Sequence, residues 1–60
     1  MSMSIEFKTG NAGFRHDDET LDTYAVSDIL IEVANAVRNG RTSGAIIDVN
    51  GNHVGVWEVS

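Results

Sequence analysis

The chain predicts an α+β fold of the form β-α-β-β: a three-stranded antiparallel sheet in the order 2-3-1 with one helix packed on one face. Three observations carry this. Residues 4–9 alternate with period two, residues 23–38 carry an apolar stripe at helical spacing, and the Asx-rich turn Asp48-Val49-Asn50-Gly51-Asn52 stands between two apolar runs. The sixty residues make a single small domain, 1–60.

Ser4-Ile5-Glu6-Phe7-Lys8-Thr9 reads as a half-buried strand with Ile5 and Phe7 on one face, stopped by Gly10-Asn11. Gly10-Asn11-Ala12-Gly13-Phe14 then forms an irregular turn from which Phe14 tucks back as a hydrophobic plug. Arg15-His16-Asp17-Asp18-Glu19-Thr20 is polar and aperiodic, and is the part of the 10–22 loop expected to be mobile.

The helix spans 23–38. Val26, Ile29, Leu30, Val33, Ala34 and Val37 recur at i, i+3, i+4, i+7 and make one apolar stripe. Asp22, Thr23 and Ser27 are all candidate caps for its start. Its end is better marked, because Arg38 suits the negative end of the dipole and Asn39-Gly40 offers a left-handed cap. Ile31 falls off the stripe, beside Tyr24, Asp28 and Asn35, and is expected to be exposed.

After Arg41-Thr42-Ser43-Gly44 the hairpin 45–59 follows, with strands 45–49 and 53–59. Two registers stay open. A type I turn with a bulge through Asp48 to Gly51 sets Ile46 opposite Val54; a two-residue Asn50-Gly51 turn sets Ile47 there instead. Asp at the first turn position and Gly at the fourth favour the bulged form. In both, Val54 and Val56 share one face while His53, Gly55, Trp57 and Val59 share the other. Placing the third strand in the centre keeps every pairing antiparallel and leaves the helix on one side.

One helix covers only one face of such a sheet, yet both faces of the last strand are partly apolar. Phe14 and the 10–22 loop are one cover for the second face; a dimer mate or a target protein is the other. Trp57 has the same two readings, core residue or exposed partner contact.

At sixty residues the core is near the lower limit for an unaided chain, and without cysteine there are no disulfides or thiolate metal sites to staple it. A partner or a homodimer is the remaining means of supplying what the core lacks. Met1-Ser2-Met3-Ser4 has no basic n-region, and no apolar stretch approaches the length of a membrane span, so a cytoplasmic location is expected. Nine acids against four bases give a net charge of −5, which disfavours nucleic acid and anionic lipid and favours a basic partner surface.

His16, Asp17, Asp18, Glu19 and Asp22 form the densest titratable cluster, but a solvated run lacks the desolvated pocket that tunes a catalytic carboxylate. Asp48, Asn50 and Asn52 mimic the first ligands of a calcium loop, yet the glycine is misplaced and no glutamate stands at the twelfth position. A cross-strand pair of His53 with Asp48 is the remaining candidate, and a structural role suits it better than a catalytic one. The chain is therefore expected to be no enzyme and to carry no cofactor or metal. Lys8, Arg15, Arg38 and Arg41 are scattered rather than striped, which argues against direct nucleic-acid binding. The acids offer the converse: a small acidic frame that occupies another protein's basic groove. Glu6 adds to that acidic surface, and Asp17, Asp18, Glu19, Asp22, Asp28 and Glu32 are the candidate contacts, joined by Trp57 or Ile31 if exposed.

Thr9-Gly10-Asn11-Ala12-Gly13-Phe14, the segment Asn39-Gly40-Arg41-Thr42-Ser43-Gly44, and Asp48-Val49-Asn50-Gly51-Asn52-His53-Val54-Gly55-Val56-Trp57 together resemble a group of very small proteins of bacteriophages and mobile elements. The chain departs from that pattern at Gly10, where the group carries an acid or amide, and at Gly13, where it carries alanine. In size and charge the chain is also similar to inhibitors of host defence, including anti-CRISPR proteins. The resemblance implies a stoichiometric binder in the host cytoplasm, directed at a CRISPR effector or another nuclease complex, or else a structural homodimer of a mobile element. It implies no catalytic residues.

Overall fold

The computed structural model describes residues 1–60. Strand β1 (Met3–Phe7) leads through a 3-10 turn (Ala12–Phe14) to helix α1 (Thr23–Arg38), then to β2 (Ser43–Ile47) and β3 (His53–Val59). The strands lie in the order β1-β3-β2 with both pairings antiparallel, so the α+β fold and its central third strand are as expected.

Helix α1 has the expected bounds, and Asp22 is selected as its cap. The Asp22 carboxylate accepts from the backbone N–H of Tyr24 (3.0 Å) and of Ala25 (3.2 Å), which satisfies two of the donors a helix start leaves unpaired. At the far end Gly40 takes φ +91°, its N–H donates to Val37 C=O, and Arg41 N–H donates to Ala36 C=O. This double closure needs a left-handed residue, and glycine supplies it without a Cβ clash.

β1 is shorter than the 4–9 expected. Lys8 N–H still donates to Val54 C=O, but Thr9 C=O turns away to accept from the Arg15 side chain, so the ladder ends there. β2 begins earlier than expected, at Ser43, and stops at Ile47 because Asp48 opens the turn.

The turn itself is the bulged type I form. Gly51 N–H donates to Asp48 C=O, Asp48 N–H donates to Asn52 C=O, and Gly51 holds φ +84°. The register beyond it matches neither expectation. Ile47 pairs with His53 and Ile46 with Gly55, leaving Val54 as an extra residue in β3. This second irregularity separates Val54 from Val56: Val54 packs half-buried against the core, and Val56 is exposed. The cause lies at Gly55, where any Cβ would overlap Glu6 C=O and the backbone of Phe7. A strand pressed this closely on its neighbour bends beside the glycine that permits the approach.

The core is Phe14, Ile29, Val33, Ile46 and Trp57. Trp57 is 3% exposed, which settles its two readings in favour of the core and removes it from the partner-contact set. Its ring lies over Gly44, where a Cβ would come within 2.7 Å of Nε1, and the Arg41 guanidinium sits 5.8 Å from the ring centroid. Phe14 is the plug the sequence predicts, packed on Phe7 with ring centroids 5.6 Å apart. Burying such a ring stabilises by about 1.5–3 kcal/mol.

Phe14 does not, however, cover the second face of the sheet. It lies on the helix side, with Phe7, Gly55 and Ile46. The opposite face, built from Ser4 and Glu6 of β1, Val56 and Glu58 of β3, and Ser43 and Ala45 of β2, is exposed throughout. The 10–22 loop is therefore not the cover proposed for it.

Candidate functional site

The segment 15–20, expected to be mobile, lies in a small closed turn over residues 15–21. Arg15 bridges to Leu21, His16 N–H donates to Thr20 C=O, and Glu19 N–H donates to His16 C=O. Glu19 holds φ +66°, the only non-glycine residue with positive φ. This is the hydrogen-bond pattern of the Asp48–Gly51 turn repeated, with Glu19 in the left-handed place that Gly51 fills. The Arg15 side chain clamps it by donating to Thr9 C=O and Glu19 C=O. A polar run shows no period when its order comes from a turn, which is why the sequence reads as loose.

At the tip Asp18 accepts from the Thr20 hydroxyl (2.6 Å) and the Thr20 N–H (3.1 Å). These bonds, the hydroxyl's first, hold its carboxyl below the ordinary range. Asp17 and Glu19 flank a shallow depression with Arg15 and His16, so the local field there is mixed rather than purely acidic.

Asp48 is the one buried charged side chain, at 5% exposure. Desolvation pushes its carboxyl up, but donors from Asn52 backbone and side chain, Asn50 N–H and the Asn11 amide together outweigh this and hold it below the ordinary value. His53 is exposed and is not among its partners, so the His53–Asp48 pair does not form. The carboxylate is also seated against Gly13, where a Cβ would lie 2.9 Å from Oδ2. Asp48 thus pins the 10–14 turn to the hairpin and holds Phe14 in the core. No three His, Asp or Glu side chains are grouped so as to hold a metal ion.

The remaining acids converge elsewhere. Asp22, Asp28 and Glu32 line a groove of about 330 Å³ between the first half of α1 and the β2–β3 turn. Asp28 and Glu32 are one helical turn apart, so they share the flank that faces the hairpin. Tyr24, Ile47 and Val49 give the same groove its apolar character; Tyr24 and Val49 are 82% and 83% exposed. Asp22 is partly committed, since one of its oxygens caps the helix, whereas Asp28 and Glu32 carry no hydrogen bond to the protein.

The six expected acidic contacts therefore divide. Asp22, Asp28 and Glu32 lie together; Asp17, Asp18 and Glu19 ride on a separate turn. Tyr24, Ile47 and Val49 were missed by the sequence reading. Tyr24 had a signal, four residues before Asp28 on the same flank, but Ile47 and Val49 reach the groove only through the position of the hairpin turn.

No helix is long and apolar enough to cross a membrane. No protein-family model, curated protein or solved structure matches the chain.

Proposed function

We propose that this chain is a non-catalytic binding module that takes a basic, partly apolar segment of another protein into the groove between α1 and the β2–β3 turn. The observation that carries this reading is the placing of Asp28 and Glu32, with carboxylates uncommitted to the fold, beside exposed Tyr24, Ile47 and Val49. Charge attracts and orients a cationic segment, and the aromatic and aliphatic surface supplies the desolvated contact that charge alone does not. Asp17, Asp18 and Glu19, on their separate turn beside Arg15 and His16, act on association more than on the bound state.

The net charge of −5 and the likeness of its turn segments to small phage proteins support a narrower form of the same reading. The partner is a nucleic-acid-binding complex of the host, such as a CRISPR effector, and the chain is its stoichiometric inhibitor, seated where nucleic acid would run.

The test is capture of partners by tagged chain from lysate of a bacterial host, with and without about 0.5 M salt, which screens exposed charge pairs. A nucleic-acid-binding protein recovered at low salt, released at high salt, and not recovered by Asp28→Lys/Glu32→Lys is the expected result. Recovery that is indifferent to both salt and the reversal overturns the reading.

A further inference from the structure

We infer that the free edge of β1 is a self-association site, through which two copies of this chain pair their β1 strands about a two-fold axis at Ile5 into a continuous six-stranded sheet. The inference does not rest on the groove reading, because the groove lies on the opposite flank of α1.

The backbone sets the register. Ser2 and Ser60 exchange hydrogen bonds, and Lys8 N–H donates to Val54 C=O, so the even-numbered residues of β1 bond to β3. By the alternation of an antiparallel ladder, the N–H and C=O of Met3, Ile5 and Phe7 then point away from the sheet. Two such edges brought antiparallel with Ile5 opposite Ile5 place Met3 opposite Phe7 of the second copy, and about six backbone hydrogen bonds form. Glu6 then stands opposite Ser4, so no like charges meet across the seam. Neither proline nor an inward-pointing charge guards the edge, as edges that remain single usually require.

The side chains choose β1 over β2, the other free edge. Ile29, Glu32 and Ala36 of α1 lean toward β2, beside Ile46 and Trp57. The flank bearing Leu30, Ala34 and Val37 therefore leans toward β1. There the helix side of the sheet is uncovered: Met3, Ile5, Leu30 and Val37 are 37–48% exposed. Pairing through β1 brings two uncharged flanks together over Met3 and Ile5, whereas pairing through β2 would set Asp28 and Glu32 of both copies against each other.

The surface area agrees. The chain exposes 4429 Å² at a mass of 6.5 kDa, where a folded monomer of that mass exposes about 3,800 Å². The excess of about 600 Å² approaches the roughly 800 Å² that each partner buries in a standard interface. Its radius of gyration, 12.1 Å, likewise exceeds the roughly 10 Å of a compact chain of this length.

Sedimentation equilibrium of the whole chain at about 0.1 mM, above the micromolar end of such interfaces, reads the result directly. Twice the 6.5 kDa chain mass is expected, and Leu30→Glu or Ile5→Lys should raise the dimer Kd at least about tenfold. Because Ile5→Lys risks the fold, Ile5→Cys provides a second readout. Residues opposite each other in a hydrogen-bonded pair lie about 5.5 Å apart at Cα, within disulfide reach, so this variant should crosslink on mild oxidation far faster than Val56→Cys on the open face. A monomer at that concentration, equal crosslinking of the two cysteine variants, or a dimer broken by Val56→Glu but not by Leu30→Glu would each overturn the inference.

Discussion

Asn11 and Asp48, 37 residues apart, are joined side chain to side chain, and that bond fastens the turn carrying Phe14 to the hairpin that carries Ile46 and Trp57. The Asp48 carboxylate does so as an anion, with each of its donors favouring the charged form. Its folded pKa lies below its unfolded value, so the stability it contributes is fully present above the ordinary carboxylate range and is lost as pH falls through the folded pKa. Wild type should therefore exceed Asp48→Asn in urea midpoint at neutral pH, and the gap should narrow from about pH 4 downward. A gap that is constant from pH 7 to well below 4 would contradict the assignment.

Gly55→Ala should be strongly destabilising. The added methyl meets Glu6 C=O and Phe7 in the middle of the sheet, and overpacking there costs about 3 kcal/mol or more, against a total stability of about 3–9 kcal/mol for sixty residues. Gly10→Ala, with nothing within 4 Å of the added carbon, should be close to neutral. Circular dichroism melts of the two variants make the comparison.

The two like turns differ in the residue at their left-handed position, and substitutions there should have opposite signs. Glu19→Gly relieves a strained φ of +66° and should stabilise by about 0.5–1 kcal/mol, whereas Gly51→Ala, at φ +84°, should destabilise by about 1 kcal/mol. Urea denaturation at neutral pH resolves both.

Phe14→Ala should cost about 3–5 kcal/mol, as expected of a fully buried aromatic. Trp57 reports it, since it is the only tryptophan and is buried in the same cluster. Its emission should be blue-shifted and shielded from acrylamide in the wild type, and red-shifted at lower urea in the variant.

Helix α1 was legible to the residue because its signals are local: a repeating apolar stripe, an Asp before it and Asn39-Gly40 after it. The strand order followed from keeping every pairing antiparallel with the helix on one side, and Phe14 from its place at the end of a turn that carries two glycines. The bulge at Val54 was not legible, because it depends on how closely Gly55 approaches β1, a contact between residues about fifty positions apart. Nor was the order of 15–21, where a glutamate stands at the position a glycine would have advertised. The split of the acids had the same cause: Asp17 and Asp28 carry identical chemistry, and only the tertiary placing of the β2–β3 turn gives one of them a groove.

The most direct test of that groove as a binding site is the affinity of a captured partner for three forms of the chain, titrated at equal ionic strength. Asp28→Lys/Glu32→Lys should weaken binding at least about tenfold, and Asp17→Lys/Asp18→Lys by less, mainly through slower association. Equal losses in the two variants, or none in the first, would contradict the account.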